Sequence, residues 1–128
     1  MNSAAEATQT IRVLIVDDEP DLRVLLRTML SIDQRFEVVG EAADGGEGLE
    51  MFRSLRPDVL VLDQRMPVLD GLTVAGRVIA DDPDQTVILM SAFLNDEMIS
   101  EAAALGVSAV IGKQNLADII EDILRLTG

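Results

Sequence analysis

Five short apolar runs, each followed by a stretch with helical spacing, limit most sharply how this chain can fold. The runs are Ile11–Val16, Phe36–Gly40, Val59–Leu62, Thr86–Met90 and Val107–Ile111. The Val59–Leu62 run is apolar at every position and rich in β-branched residues, as a strand buried on both faces must be. Between the runs, apolar residues recur at i, i+3, i+4 and i+7. Leu22, Leu25, Leu26, Met29 and Leu30 form one such stripe, and Leu116, Ile119, Ile120, Ile123 and Leu124 form another. Leu49, Phe52 and Leu55 supply a second helix and Leu72, Ala75, Val78 and Ile79 a third, while Asp96 to Leu105 is Ala-rich and stops at Gly106. Strands alternating with helices need crossover connections, which make the strands parallel.

The fold class expected is therefore α/β, a doubly wound five-stranded parallel sheet with both faces covered. The flavodoxin-like strand order 2-1-3-4-5 is the common five-strand arrangement and is adopted. The Phe36–Gly40 run is expected to be a shorter strand; its signal is weaker and it suits a sheet edge. Residues 1–10 are polar and without period, and are expected to be a disordered tail before a single domain over residues 11–128.

The strand ends carry the chemistry. The first run ends on Asp17-Asp18-Glu19, the third on Asp63, the fourth on Ser91-Ala92 and the fifth on Gly112-Lys113. In a parallel sheet these ends share one rim, where open α/β sheets bind ligands. The plainer reading of Asp17-Asp18-Glu19 is helix capping before Pro20, and one of the three acids is expected to cap. Asn115 is expected to cap the last helix, and Gly48 falls inside the second one. The glycines near Asp44 lack the Gly-Lys-Ser/Thr of a phosphate loop.

Two carboxylates ~4 Å apart repel by about 4 kcal/mol at an effective dielectric near 20. Such a cluster raises its own pKa values or recruits a cation. The chain has no Cys and no His, so the ligands are oxygens and the cation is a hard one, Mg²⁺ or Mn²⁺ rather than zinc. A carboxylate beside such an ion can attack phosphorus, with the ion and Lys113 neutralising the phosphoryl oxygens and Ser91 donating to them. The absence of His places any phosphohistidine on another protein.

The net charge of −13 disfavours direct nucleic-acid binding. No apolar run approaches the ~18 residues of a membrane span. A cytoplasmic location is expected.

In its motifs the chain resembles the response regulator receiver domains of two-component signalling. The motifs are Val16-Asp17-Asp18-Glu19-Pro20, Ala43-Asp44-Gly45, Asp63-Gln64-Arg65-Met66-Pro67 with Asp70-Gly71, Ser91-Ala92 and Gly112-Lys113. The resemblance runs from about Ile11 to the end, and the ordered set is far more specific than any one motif. It implies Asp63 as phosphoacceptor and Mg²⁺ held by Asp18, Asp63 and the backbone carbonyl of Arg65, with Asp17 acting through water. It further implies that Lys113 contacts the phosphoryl group and that Ser91 moves toward it. The donor implied is a sensor histidine kinase or phosphotransfer protein, and the face formed by the fourth helix, last strand and fifth helix would meet a second copy or an output domain.

Two positions depart from the family pattern. Val110 stands where many members carry a switching Tyr or Phe; Phe93 is the aromatic nearest to substitute for it. Gln114 stands where Pro frequently follows the lysine. The expected function is a phosphoacceptor switch rather than an enzyme, limited to self-phosphorylation and slow autodephosphorylation. Alternatives are the receiver part of a DNA-binding transcriptional regulator and a phosphorylation-independent scaffold of the same fold. An FMN carrier would need a phosphate loop and flanking aromatics. A small-substrate Asp phosphatase would need a second Asp where Arg65 stands.

Overall fold

The computed structural model describes residues 9–128. Most of the tail expected at residues 1–10 lies outside that range. Strands β1 (Ile11–Val16), β2 (Phe36–Ala42), β3 (Val59–Asp63), β4 (Thr86–Ser91) and β5 (Ala109–Gly112) form one parallel sheet in the order β2-β1-β3-β4-β5. Helices α1 (Pro20–Ile32), α2 (Gly45–Leu55), α3 (Gly71–Asp81), α4 (Asp96–Leu105) and α5 (Ile119–Thr127) alternate with them, and a 3₁₀ segment (Lys113–Asp118) precedes α5.

Alternation along the strands divides the core in two. Leu14, Val16, Leu60, Leu62, Val87 and Leu89 pack under α2, α3 and α4, against Phe52, Val74 and Ala102 among others. Val13, Ile15, Val59, Val61, Ile88 and Met90 pack under α1 and α5, against Leu26, Leu30, Ile119 and Ile123. Each interior strand thus needs apolar side chains on both faces, which is why the Val59–Leu62 run has no polar interruption.

Local chemistry sets the helix starts. The Asp44 carboxylate accepts from the Glu47 N–H, Asp70 from Thr73 and Asn95 from Met98. Gly106 ends α4 with φ 95°, a conformation that favours glycine.

Four sequence expectations are corrected. β2 is at the edge, but at seven residues it is the longest strand. β5 starts at Ala109; Ser108 before it pins the loop instead, its hydroxyl accepting from Val87 N–H at 3.0 Å. Asn115 does not cap α5: it sits inside the 3₁₀ segment, and no side chain caps either that segment or α5. Nor does a side chain cap α1, although Glu19 occupies the cap position.

Gly48 has a reason that only the packing reveals. A Cβ there would lie 2.8 Å from Val16, so glycine lets α2 sit directly on β1.

Candidate functional site

The site begins where β1 and β3, hydrogen-bonded neighbours, leave the sheet. The register pairs Val16 with Leu62, so Asp17 and Asp63 emerge side by side. Both are buried, at 0 % and 1 % exposure, whereas Asp18 and Glu19 are exposed. Asp17 is fixed from several sides. Its N–H donates to Ala42 O at 3.0 Å, its Oδ1 accepts from Glu19 N–H at 2.8 Å, and its carbonyl accepts from the Arg23 guanidinium at 2.6 Å.

Asp63 is held from the far side by α3. Gln64 Oε1 accepts from Leu72 N–H at 2.8 Å and Gln64 O from Gly71 N–H at 3.0 Å, which ties the helix start to the strand end. A Cβ on Gly71 would lie 2.5 Å from the Asp63 carbonyl oxygen, so this approach needs glycine. The Arg65 N–H points to Asp63 Oδ1 at a long 3.4 Å.

Lys113, the chain's only lysine, reaches this pair from the end of β5. Its ammonium is 3.1 Å from Asp63 Oδ1, 3.8 Å from Asp17 Oδ2 and 2.7 Å from Glu19 Oε1. Among the described residues no peptide bond is cis, so Lys113–Gln114 is trans.

The electrostatics follow from burial. Desolvation pushes the Asp17 carboxyl up to about 7; the Glu19 N–H and the Lys113 charge oppose the rise, and the Asp63 charge reinforces it. Asp63 is also raised by burial, against the pull of Lys113. Burial works against the Lys113 charge, but its contacts with Glu19 and Asp63 and the charge of Asp17 outweigh that and raise its pKa.

Two buried oxygens, Asp17 Oδ2 and Asp63 Oδ2, have no hydrogen-bond partner. Carboxylate oxygens of Asp17, Asp18, Glu19 and Asp63 lie within 4.8 Å of one another. An all-oxygen donor set with unsatisfied buried lone pairs is compatible with a hard divalent cation.

Sequence reasoning brought Asp17, Asp18, Asp63 and Lys113 to this crevice, and they meet there. It missed Glu19 as a partner of Lys113. The signal was present, a third consecutive acid, but capping explained it equally well.

Ser91 is at the same rim and buried, yet it is engaged elsewhere. Its hydroxyl donates to Phe93 O at 2.9 Å and accepts from Phe93 N–H at 3.2 Å. In the alternation along β4 it follows Val87 and Leu89, on the α3–α4 side, whereas Asp63 follows Val59 and Val61 on the other. Ser91 lines a cleft of about 420 Å³ with Gln64, Arg65, Leu72, Phe93 and Met98. Ala92 and Phe93 are exposed, Phe93 at 71 %. Val110 is half-buried in β5 beside Leu89 and packs on the core.

The family model for the response regulator receiver domain matches residues 13–125. This chain is a response regulator receiver domain. The receiver domain of NarL from Mycobacterium tuberculosis superposes with a TM-score of 0.87 at 32 % identity, covering 93 % of this receiver domain and 97 % of that chain. The receiver domain of CheB from Thermotoga maritima gives 0.84 at 28 % identity, covering 93 % and 96 %. In sequence, a protein-glutamate methylesterase/protein-glutamine glutaminase of Anaeromyxobacter dehalogenans is 41 % identical over 80 % of this chain and 30 % of its own length. The response regulator protein VraR of Staphylococcus aureus is 34 % identical over 92 % of this chain and 56 % of its own. The chain therefore spans roughly a third to a half of these curated relatives. Among the described residues no helix is long and apolar enough to cross a membrane.

Proposed function

We propose that Asp63 is the phosphoacceptor of this receiver domain. The observation that carries the reading is the pair of partnerless buried oxygens, Asp17 Oδ2 and Asp63 Oδ2, beside the Lys113 ammonium. Asp18, Asp63 and the Arg65 carbonyl would hold Mg²⁺ directly, with Asp17 acting through water; Mn²⁺ has the same oxygen preference. When bound, the ion supplies charge neutralisation for the phosphoryl oxygens.

The protein's own groups do the rest. An Asp63 carboxylate oxygen attacks phosphorus in line, the bond from phosphorus to the donor's imidazole nitrogen breaks, and the nitrogen keeps the electron pair. Lys113, already 3.1 Å from Asp63 Oδ1, stays to neutralise the transferred group. Ser91 reaches that group only by giving up its turn with Phe93. This is a phosphoacceptor switch, with self-phosphorylation and slow self-hydrolysis as its only chemistry.

The donor we infer is a phosphohistidine on a sensor kinase or phosphotransfer protein, in the cytoplasm. The face of α4, β5 and α5 is the one we assign to a second copy or an output domain. The charge of −13 speaks against contact of this domain with nucleic acid.

Acetyl phosphate with Mg²⁺ should add one phosphoryl group, read by intact mass. A chelator should abolish the addition. No adduct, or one indifferent to the chelator, would sink the proposal.

A further inference from the structure

Lys113 is shared among three carboxylates that differ in their freedom to leave it. Asp17 and Asp63 are buried and fixed at strand ends, with side-chain exposures of 0 % and 2 %. Glu19 makes the shortest contact, at 2.7 Å, yet its side chain is 60 % exposed. Its extended backbone, φ −89° and ψ 111°, suits a residue before proline. Its side chain accepts no helix-capping hydrogen bond. Only Glu19 can release the ammonium into water without leaving a buried charge unpaired.

Resting on the phosphoacceptor reading, we propose that Glu19 is a positioning residue for Lys113. It competes with the phosphoryl group for the ammonium and so slows phosphorylation of Asp63. A phosphoryl group on Asp63 replaces one negative charge by about two. Lys113 then turns wholly to the phosphoryl oxygens and Glu19 swings into solvent. The step changes no covalent bond; it moves one ion-pair contact.

The test uses the whole chain, labelled with ¹⁵N-lysine. Lys113 is the only lysine, so one side-chain ammonium signal is expected. Glu19→Gln removes the competing charge. Glu19→Asp keeps the charge but shortens the reach. If Glu19 acts by contact, both variants shift the Lys113 signal before any donor is added. Both also speed phosphorylation by acetyl phosphate, by about two- to fivefold, as expected for a half-exposed ion pair.

An aspartate variant that behaves like wild type overturns the proposal, because general repulsion of the donor would then explain the glutamine result. Unchanged or slower phosphorylation of Glu19→Gln overturns it too. So does a tenfold or greater loss of Mg²⁺ affinity in that variant, which would make Glu19 a metal ligand. If wild type and variants all stay unmodified, the phosphoacceptor reading fails and the proposal with it. If wild type is modified and the variants match it, only the Glu19 proposal fails.

Discussion

The two sides of the β3 rim are built differently. On the β1 side, Asp17 and Asp63 are buried and interlocked with the half-buried Lys113. On the β4 side, Ser91 is tied into a local turn with Phe93, and the loop after it lies open to solvent. The acidic cluster and its lysine are thus already assembled, while the Ser91 side is occupied with a local contact. With Val110 in place of an aromatic, no ring on β5 can carry the signal. On the proposed reading, phosphorylation changes the partner of the Ser91 hydroxyl, now Phe93.

Four substitutions or conditions separate the halves. Lys113→Ala should slow phosphorylation by acetyl phosphate ~100-fold, the usual loss when a charged donor to a developing oxyanion is removed. A loss under tenfold, by intact-mass kinetics, would show the prebuilt half to be incidental. Gly48→Ala should cost about 1–3 kcal/mol in urea unfolding, because its Cβ would press on Val16, the residue before Asp17. An unaltered midpoint would mean that β1 is not held rigidly.

Ser91→Ala acts on the open half. It should cost about 1–3 kcal/mol of stability and leave the phosphorylation rate within about tenfold, since two neutral hydrogen bonds to Phe93 are lost. A loss as large as that of Lys113→Ala would place Ser91 in the prebuilt half.

The remaining condition is pH. Asp17 is raised from 3.8 to about 7 in the folded protein, so the folded state holds a proton that the unfolded state has released. Metal-free stability then falls as pH rises from about 4 through 7. The stabilisation by Mg²⁺ should grow over the same window, as protons stop competing for the carboxylate. Thermal midpoints with and without Mg²⁺ at about pH 5 and about pH 8 check both signs. A metal-free midpoint that rises with pH contradicts the buried acid.

Much of this was legible in the sequence. Four of the five strands, all but β2, end on or just before a candidate site residue, and β–α alternation alone puts those ends on one rim. The Asp63 strand needed no structure to be found, because a run apolar on both faces has few other uses. That same double burial hid the phase: nothing in Val87–Met90 says which face Ser91 follows. The Lys113–Asp118 segment was misread because an Asn before an apolar stripe looks like a cap. Glu19 was hidden because an acid before Pro20 satisfies a helix start as readily as a distant lysine. The contact joins residues 94 positions apart.

Which carboxylate is the nucleophile can be read out chemically. Borohydride reduces an aspartyl phosphate to homoserine, and peptide mass mapping then locates it. After treatment with acetyl phosphate and Mg²⁺, homoserine should stand at position 63 alone, and Asp63→Ala should yield none. Homoserine at position 17 or 18 in the wild-type protein, or its persistence in Asp63→Ala, would mean that Asp63 is not the phosphoacceptor.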